Sequence, residues 1–235
     1  MKEVDFLLTF WSGKIWMEMI YKKFPEFPSR ILPEGGKDLN RICKNLDYLS
    51  LNDILPEAFF LMPYSGADNF FREDLYGNFT DCFLVREIAF MVVEAEKNLR
   101  SKVPNLRLLI FDGARPVRVQ KRMWEVVENT EFQNYIARPG DSLHNYGAAI
   151  DLSLSDRDGN PLDMGTEFDY FGKRAEPISE LELLKSGELN QNQYENRMIL
   201  RNCMESVGFK VLRNEWWHFN GSSLDLARQK YKVFL

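Results

Sequence analysis

Apolar residues recur at Leu84, Ile88, Val92, Ala95 and Leu99, a helical spacing sustained over about four turns, so the chain from Cys82 to Leu99 is predicted to form a core helix. "LRLLIFDG", residues 106–113, is a short apolar run closed by Asp-Gly and reads as a buried strand followed by a turn. Pro116 suits a helix N-terminus, and the following segment is expected to stay helical to about Glu128. "AAIDLSL" alternates, which puts Ile150, Leu152 and Leu154 on one face of a strand and Asp151 on the other. "DRDGNPLDMGTEFD" reads as loop, and residues 192–206 as a helix stopped by Gly208. "FKVL" and "WWHF" follow as two short strands joined by the polar turn "RNE". Helices and strands mix without βαβ alternation, which predicts an α+β fold with a central antiparallel sheet flanked by helices.

The Pro- and Gly-rich stretch "PEFPSRILPEGG", residues 25–36, reads as a loop that sets off a short amphipathic N-terminal piece. We expect one domain over residues 1–235, with residues 1–60 an N-terminal extension packed on it. Phe59, Phe60, Phe90 and Trp124 lie among apolar neighbours and are expected to pack in the core.

Composition changes this picture little. The formal charge is −5 and the basic residues are scattered, which argues against a nucleic-acid partner. No apolar run approaches the ~20 residues needed to span a bilayer, and the first residues lack the pattern of a signal peptide, so a cytoplasmic location is expected. Cys43, Cys82 and Cys203 form no close pair and are expected to be buried thiols.

The chain has two histidines, and both sit in short polar and aromatic stretches. His144 lies in "SLHNYGAAID", seven positions before Asp151; His218 lies in "NEWWHF", three positions after Glu215. Two His, an Asp and a Glu are the parts of a metallopeptidase, which needs three protein ligands, an open position for water, and a general base. Gly-Ala-Ala between His144 and Asp151 would let backbone pack closely beneath a metal. On spacing alone, the same residues also fit a solvated strand face and an aromatic patch covering a sheet.

The motifs are more specific than the spacing. "SLHNYGAAID" fits SxHxxGxAxD and "EWWH" fits ExWH. "YSGADNF" (64–70), "DGARP" (112–116) and "MGTEFD" (164–169) match three further segments, in order along the chain. Together they resemble the zinc D-alanyl-D-alanine dipeptidases, the vancomycin-resistance type of D,D-peptidase, and imply the hedgehog/D,D-peptidase fold. The resemblance implies one Zn2+ per chain held by His144, Asp151 and His218. It implies that Glu215 is the general base and Arg115 the stabiliser of the oxyanion. Ser142 would hold the carboxylate of a small dipeptide and Asp169 its free amine, with Tyr64 lining the pocket.

The chain departs from the family at three places: "MP" before Tyr64 where a basic residue is common, Ala67 in the same loop, and Ala114 where an aromatic is common. These changes are expected to touch the pocket wall and so the choice of substrate. Two rivals stand beside the dipeptidase reading. One is a D,D-carboxypeptidase or cell-wall endopeptidase of the same superfamily, which tends to carry Pro where this chain has Trp216. The other is a catalytically silent zinc-binding module, against which the presence of Glu215 and Arg115 speaks.

Overall fold

The computed structural model describes residue 43 and residues 48–77 and 79–235. The expected N-terminal piece and the loop at 25–36 lie outside the described residues. The last part of the expected extension does not: residues 48–60 supply β1 (Tyr48–Ser50), the short helix α1 (Leu51–Ile54) and β2 (Phe59–Phe60).

A five-stranded sheet carries the site. It comprises β2, β4 (Arg107–Asp112), β5 (Ala149–Ser155), β6 (Lys210–Leu212) and β7 (Glu215–Asn220), in the order β2-β4-β5-β7-β6. All neighbours are antiparallel except β2 beside β4. β1 pairs with β3 (Phe83–Val85) in a separate two-stranded sheet. Two long helices, α2 (Arg86–Lys102) and α5 (Gln191–Glu205), pack against each other. The Cys203 thiol on α5 donates to the Ala95 carbonyl on α2 at 2.9 Å, which ties the two together. The three cysteines are buried and unpaired, as expected. Between these elements lie α3 (Val117–Val127), α4 (Glu180–Ser186) and, near the C-terminus, α6 (Leu224–Lys230). Among the described residues, no helix is long and apolar enough to cross a membrane.

The fold follows the hydrophobic pattern, with five corrections. The helix expected from Cys82 starts at Arg86, because Phe83, Leu84 and Val85 are extended and paired with Ser50, Leu49 and Tyr48. Ile88, Val92, Ala95 and Leu99 are buried as the spacing requires. The turn between β6 and β7 is Arg213–Asn214 alone; Glu215 is already in β7 and pairs with Leu212. Phe90 is 53% exposed, outside the core where it was expected. It follows Ile88 and Ala89 on α2 and falls on that helix's outer face. Phe59, Phe60 and Trp124 are half-buried rather than central. The alternation in β5 is real, but both faces are covered: Asp151, Ser153 and Ser155 are as buried as Ile150, Leu152 and Leu154.

Candidate metal centre

β5 and β7 run side by side with Asp151 and His218 as direct register partners, so both side chains project from the same face of the sheet. A single 3-10 turn, Leu143–Tyr146, precedes β5 and delivers His144 to the same point. Ser142 caps that turn by accepting from the His144 amide at 3.3 Å. Gly147 ends it at φ +60°, a left-handed conformation that glycine adopts without strain. A side chain there would meet the Tyr48 ring at 3.0 Å and the Val85 amide at 3.1 Å. The close packing foreseen beneath a metal is therefore packing against β1 and β3.

The three ligand candidates, all buried, form a tight triangle. His144 Nε2 lies 3.1 Å from His218 Nδ1, His218 Nδ1 2.9 Å from Asp151 Oδ1, and His144 Nε2 3.3 Å from Asp151 Oδ2. A tetrahedral ion with bonds of ~2.1 Å holds its ligand atoms about 3.4 Å apart, so this triangle needs little adjustment to receive one. The outer nitrogens are tied down. His144 Nδ1–H donates to the Gly113 carbonyl at 2.7 Å, and His218 Nε2–H donates to Asn220 Oδ1 at 2.9 Å. Each imidazole thereby turns its lone pair to the centre, by opposite ring nitrogens. Burial alone would raise the Asp151 carboxyl, but the two imidazoles outweigh it and hold it well below the usual carboxylate range. Two imidazole nitrogens and one carboxylate suit a borderline divalent ion.

Glu215 opens β7 and is buried, its Oε2 3.9 Å from His218 Nδ1. Burial, with Asp151 and Asp169 reinforcing it, pushes this carboxyl up to about 8. A bound dication would act in the opposite sense.

Arg115 sits between β4 and α3 in a dense frame. Its Nε and Nη2 meet Asp112 Oδ2 at 2.9 and 2.8 Å, Nη1 donates to Gln120 Oε1 at 3.0 Å, and Nη2 reaches Asp151 Oδ2 at 3.4 Å. Asp112 also accepts from the Tyr76 hydroxyl at 2.7 Å. The guanidinium lies 5.3 Å from the Tyr64 ring centre. Burial would lower the Arg115 pKa, but the surrounding acidic groups raise it well above its ordinary value, so the side chain is a permanent cation. Arg115 is joined to the His144 turn by its backbone too: its amide donates to the His144 carbonyl at 2.9 Å, and its carbonyl accepts from Asn145 Nδ2 at 2.8 Å. Gly113 makes the approach possible, since a Cβ there would stand 2.6 Å from Cys82 Sγ and 2.7 Å from the Phe83 carbonyl.

At the far end, Tyr64 donates its hydroxyl to Asp169. Asp169 is itself at φ +58°. Burial pushes the Asp169 carboxyl up to about 7. The preceding Phe168 ring packs on Phe111, Trp217 and Tyr64 at 4.8, 5.5 and 5.7 Å. Asn69, from the Tyr64 motif, serves the loop and not the pocket: its Nδ2 donates to the carbonyls of Pro63, Gly66 and Glu73.

All eight residues singled out in the sequence line one cavity of about 320 Å³: Tyr64, Arg115, Ser142, His144, Asp151, Asp169, Glu215 and His218. Met62, Ala67 and Ala114, expected to shape its wall, do not line it; Ala67 is exposed, while Met62 and Ala114 are buried elsewhere. Sequence reasoning missed Asp112, Gln120 and Asn145, which orient Arg115 and the His144 turn. Asp112 was visible as the end of an apolar strand. The Gln120 signal was weaker: a polar residue one turn into a helix beside the Arg-Pro pair.

The profile of the D-ala-D-ala dipeptidase family matches residues 44–234. A D-alanyl-D-alanine dipeptidase of Escherichia coli strain K12 is 27% identical over 192 residues, covering 80% of this chain and 93% of the relative. One from Enterococcus faecium is 28% identical over 179 residues, covering 66% of this chain and 82% of the relative. Among solved structures, a vancomycin-resistance D,D-dipeptidase in complex with a D-Ala-D-Ala phosphinate analogue aligns at 20% identity with a TM-score of 0.37. That alignment covers 66% of this chain and 62% of the other.

Proposed function

The chain belongs to the D-Ala-D-Ala dipeptidase family, and we propose that it is a zinc peptidase hydrolysing D-alanyl-D-alanine or a similar small dipeptide in peptidoglycan metabolism. The observation that carries this reading is the convergence of eight side chains, from segments spread between residues 64 and 218, on one cavity.

His144, Asp151 and His218 would hold the ion, one per chain. When bound, zinc supplies Lewis acidity that brings the pKa of a coordinated water from 15.7 to about 7. The chain's own groups do the rest. Asp169 pairs with the free ammonium of the dipeptide. Ser142 spends one lone pair on the His144 amide and keeps its hydroxyl hydrogen for the terminal carboxylate. Between these two ends the scissile carbonyl lies near Arg115, whose fixed cation favours the oxygen as it gains negative charge. Glu215 accepts a proton from the attacking water as the new C–O bond forms. It returns that proton to the amide nitrogen as the C–N bond breaks, so the products are two free amino acids.

The test is release of free D-alanine from D-Ala-D-Ala, with and without a chelator. Release that stops on chelation and returns with zinc supports the reading. A zinc-loaded protein that releases none overturns it.

A further inference from the structure

Residues 164–174 form a loop that carries Asp169 and Phe171 to the cavity. The two ends of this excursion are closed by one side chain. Arg197, on α5 and fully buried, donates from Nε to the Met164 carbonyl at 2.7 Å and from Nη2 to the Arg174 carbonyl at 2.9 Å. Its third nitrogen, Nη1, faces Glu180 Oε1 at 3.4 Å, and Glu180 is held in turn by Arg201 Nη2 at 2.7 Å to each oxygen. The guanidinium lies 5.7 Å from the Trp216 ring centre, and Trp216 Nε1 donates to Thr166 Oγ1 inside the loop at 2.7 Å. Arg174 closes the same loop by donating to the Gly165 carbonyl at 2.7 Å.

We propose that Arg197 is a positioning residue for substrate recognition: by clasping both ends of the 164–174 loop it sets where Asp169 meets the amine end of the dipeptide. The proposal rests on the reading of Asp169 as the amine partner. The geometry requires arginine. Two carbonyls ten residues apart in sequence accept from two edges of one planar fork, while a third edge faces a carboxylate and the flat face lies near an indole. A lysine ammonium has a single nitrogen and cannot reproduce that frame. Asp169 needs such support because it sits in a left-handed conformation that an aspartate holds only when its surroundings impose it. Arg197 touches neither the metal ligands nor the cavity, so its influence on turnover runs through the loop.

The experiment compares wild type with Arg197→Lys in the zinc-loaded full chain. Thr166→Val serves as a second variant that loosens the loop from the Trp216 side without leaving a buried charge unpaired. We measure kcat and KM for D-Ala-D-Ala and for its N-acetyl form, metal content, and deuterium exchange of the 163–174 amides. The expected result is full metal content, little change in kcat, and a KM for the free dipeptide raised on the order of 10–100-fold, the scale of a weakened hydrogen bond to a charged group. The preference for free over acetylated dipeptide shrinks in proportion, and exchange quickens within 163–174 alone. Faster exchange throughout the chain with equal losses on both substrates would assign Arg197 to general stability, and an unchanged KM in both variants would remove it from recognition. If wild type itself does not distinguish the two substrates, the Asp169 reading has failed, and the exchange pattern still decides whether Arg197 clasps the loop.

Discussion

Tyr64 donates its hydroxyl to both carboxylate oxygens of Asp169, at 3.0 and 2.8 Å, and is the polar partner that offsets part of the cost of burying that carboxyl. Tyr64→Phe removes a hydrogen bond that favours the ionised form, so the Asp169 pKa rises above about 7. The carboxylate that pairs with an ammonium is then scarcer at neutral pH. KM for free D-Ala-D-Ala near pH 7 should rise roughly 10–100-fold, the range for a hydrogen bond to a charged group, and recover partly at higher pH. A KM profile against pH that superimposes on wild type would show that the pair plays no part in recognition.

N-acetyl-D-Ala-D-Ala should be a poor substrate for the wild-type enzyme. Acetylation removes the charge partner of Asp169, a half-buried residue whose carboxyl is already desolvated, and leaving a buried charge unpaired costs up to about 3–5 kcal/mol. Asp169→Asn should narrow the gap between the two substrates mainly by damaging the free one. Equal kcat/KM for both in wild type would favour the carboxypeptidase reading.

Replacing both His144 and His218 by Ala should abolish the single metal equivalent, since two of three ligand atoms disappear from the triangle. Metal analysis of the folded protein after zinc loading and dialysis reads this directly. Retention of one tight equivalent would place the metal elsewhere.

Glu215→Gln should keep the metal and lose activity by about 10²–10⁴-fold in kcat, the usual contribution of a general acid–base group. Arg115→Lys should also lower kcat far more than it raises KM, by on the order of 3 kcal/mol in transition-state terms. Lysine cannot fill the Asp112, Gln120 and Asp151 frame together. Loss of zinc from Glu215→Gln, or normal kcat with only a weaker KM in Arg115→Lys, would reverse the respective assignment.

The metal-free protein should become less stable as the pH rises. Burial lifts the Asp169 and Glu215 carboxyls from 3.8 and 4.5 to about 7 and about 8. Between the lower and upper values the folded state holds protons that the unfolded chain has released. Their stabilising effect is complete below about pH 4 and declines as pH passes through 7 and 8, by up to about 1.4 kcal/mol per pH unit for each group. Thermal melts of the chelated protein from pH 5 to pH 8.5 should show Tm falling, and Asp169→Asn or Glu215→Gln should flatten the slope. Asp151, held low by the imidazoles, acts in the opposite sense and matters only in acid. A Tm that rises across this range in the chelated protein would contradict the burial of the two carboxyls.

The parts of this molecule that were legible in the sequence are those with enough residues to display a period. β4, β5 and α5 appear where an apolar run closed by Asp-Gly, an alternating segment and a helix stopped by Gly208 put them. β1, β2 and β3 have two or three residues each, too few to alternate, and exist because they found partners far along the chain. The candidate ligands and Glu215, which the fold brings to one cavity, were legible because their motifs are local. The supports of Arg115 were not, because Tyr76, Asp112 and Gln120 meet only when three segments pack together. Arg197 was hidden for the same reason: inside a helix it reads as an ordinary surface arginine until the loop it clasps is seen.

The pairing of Asp151 with His218 across β5 and β7 gives sheet register a chemical meaning. A one-residue slip of β7 would set Trp217 or Phe219 opposite Asp151, turning the imidazole to the reverse face and cutting the candidate ligand set from three to two. An insertion or deletion that shifted this pairing would therefore disarm the enzyme while the backbone ladder closed again almost as well as before. The hydrophobic anchoring of Phe219 and Ile150, neighbours of the two candidate ligands and both wholly buried, thus guards the proposed metal centre as well as the core.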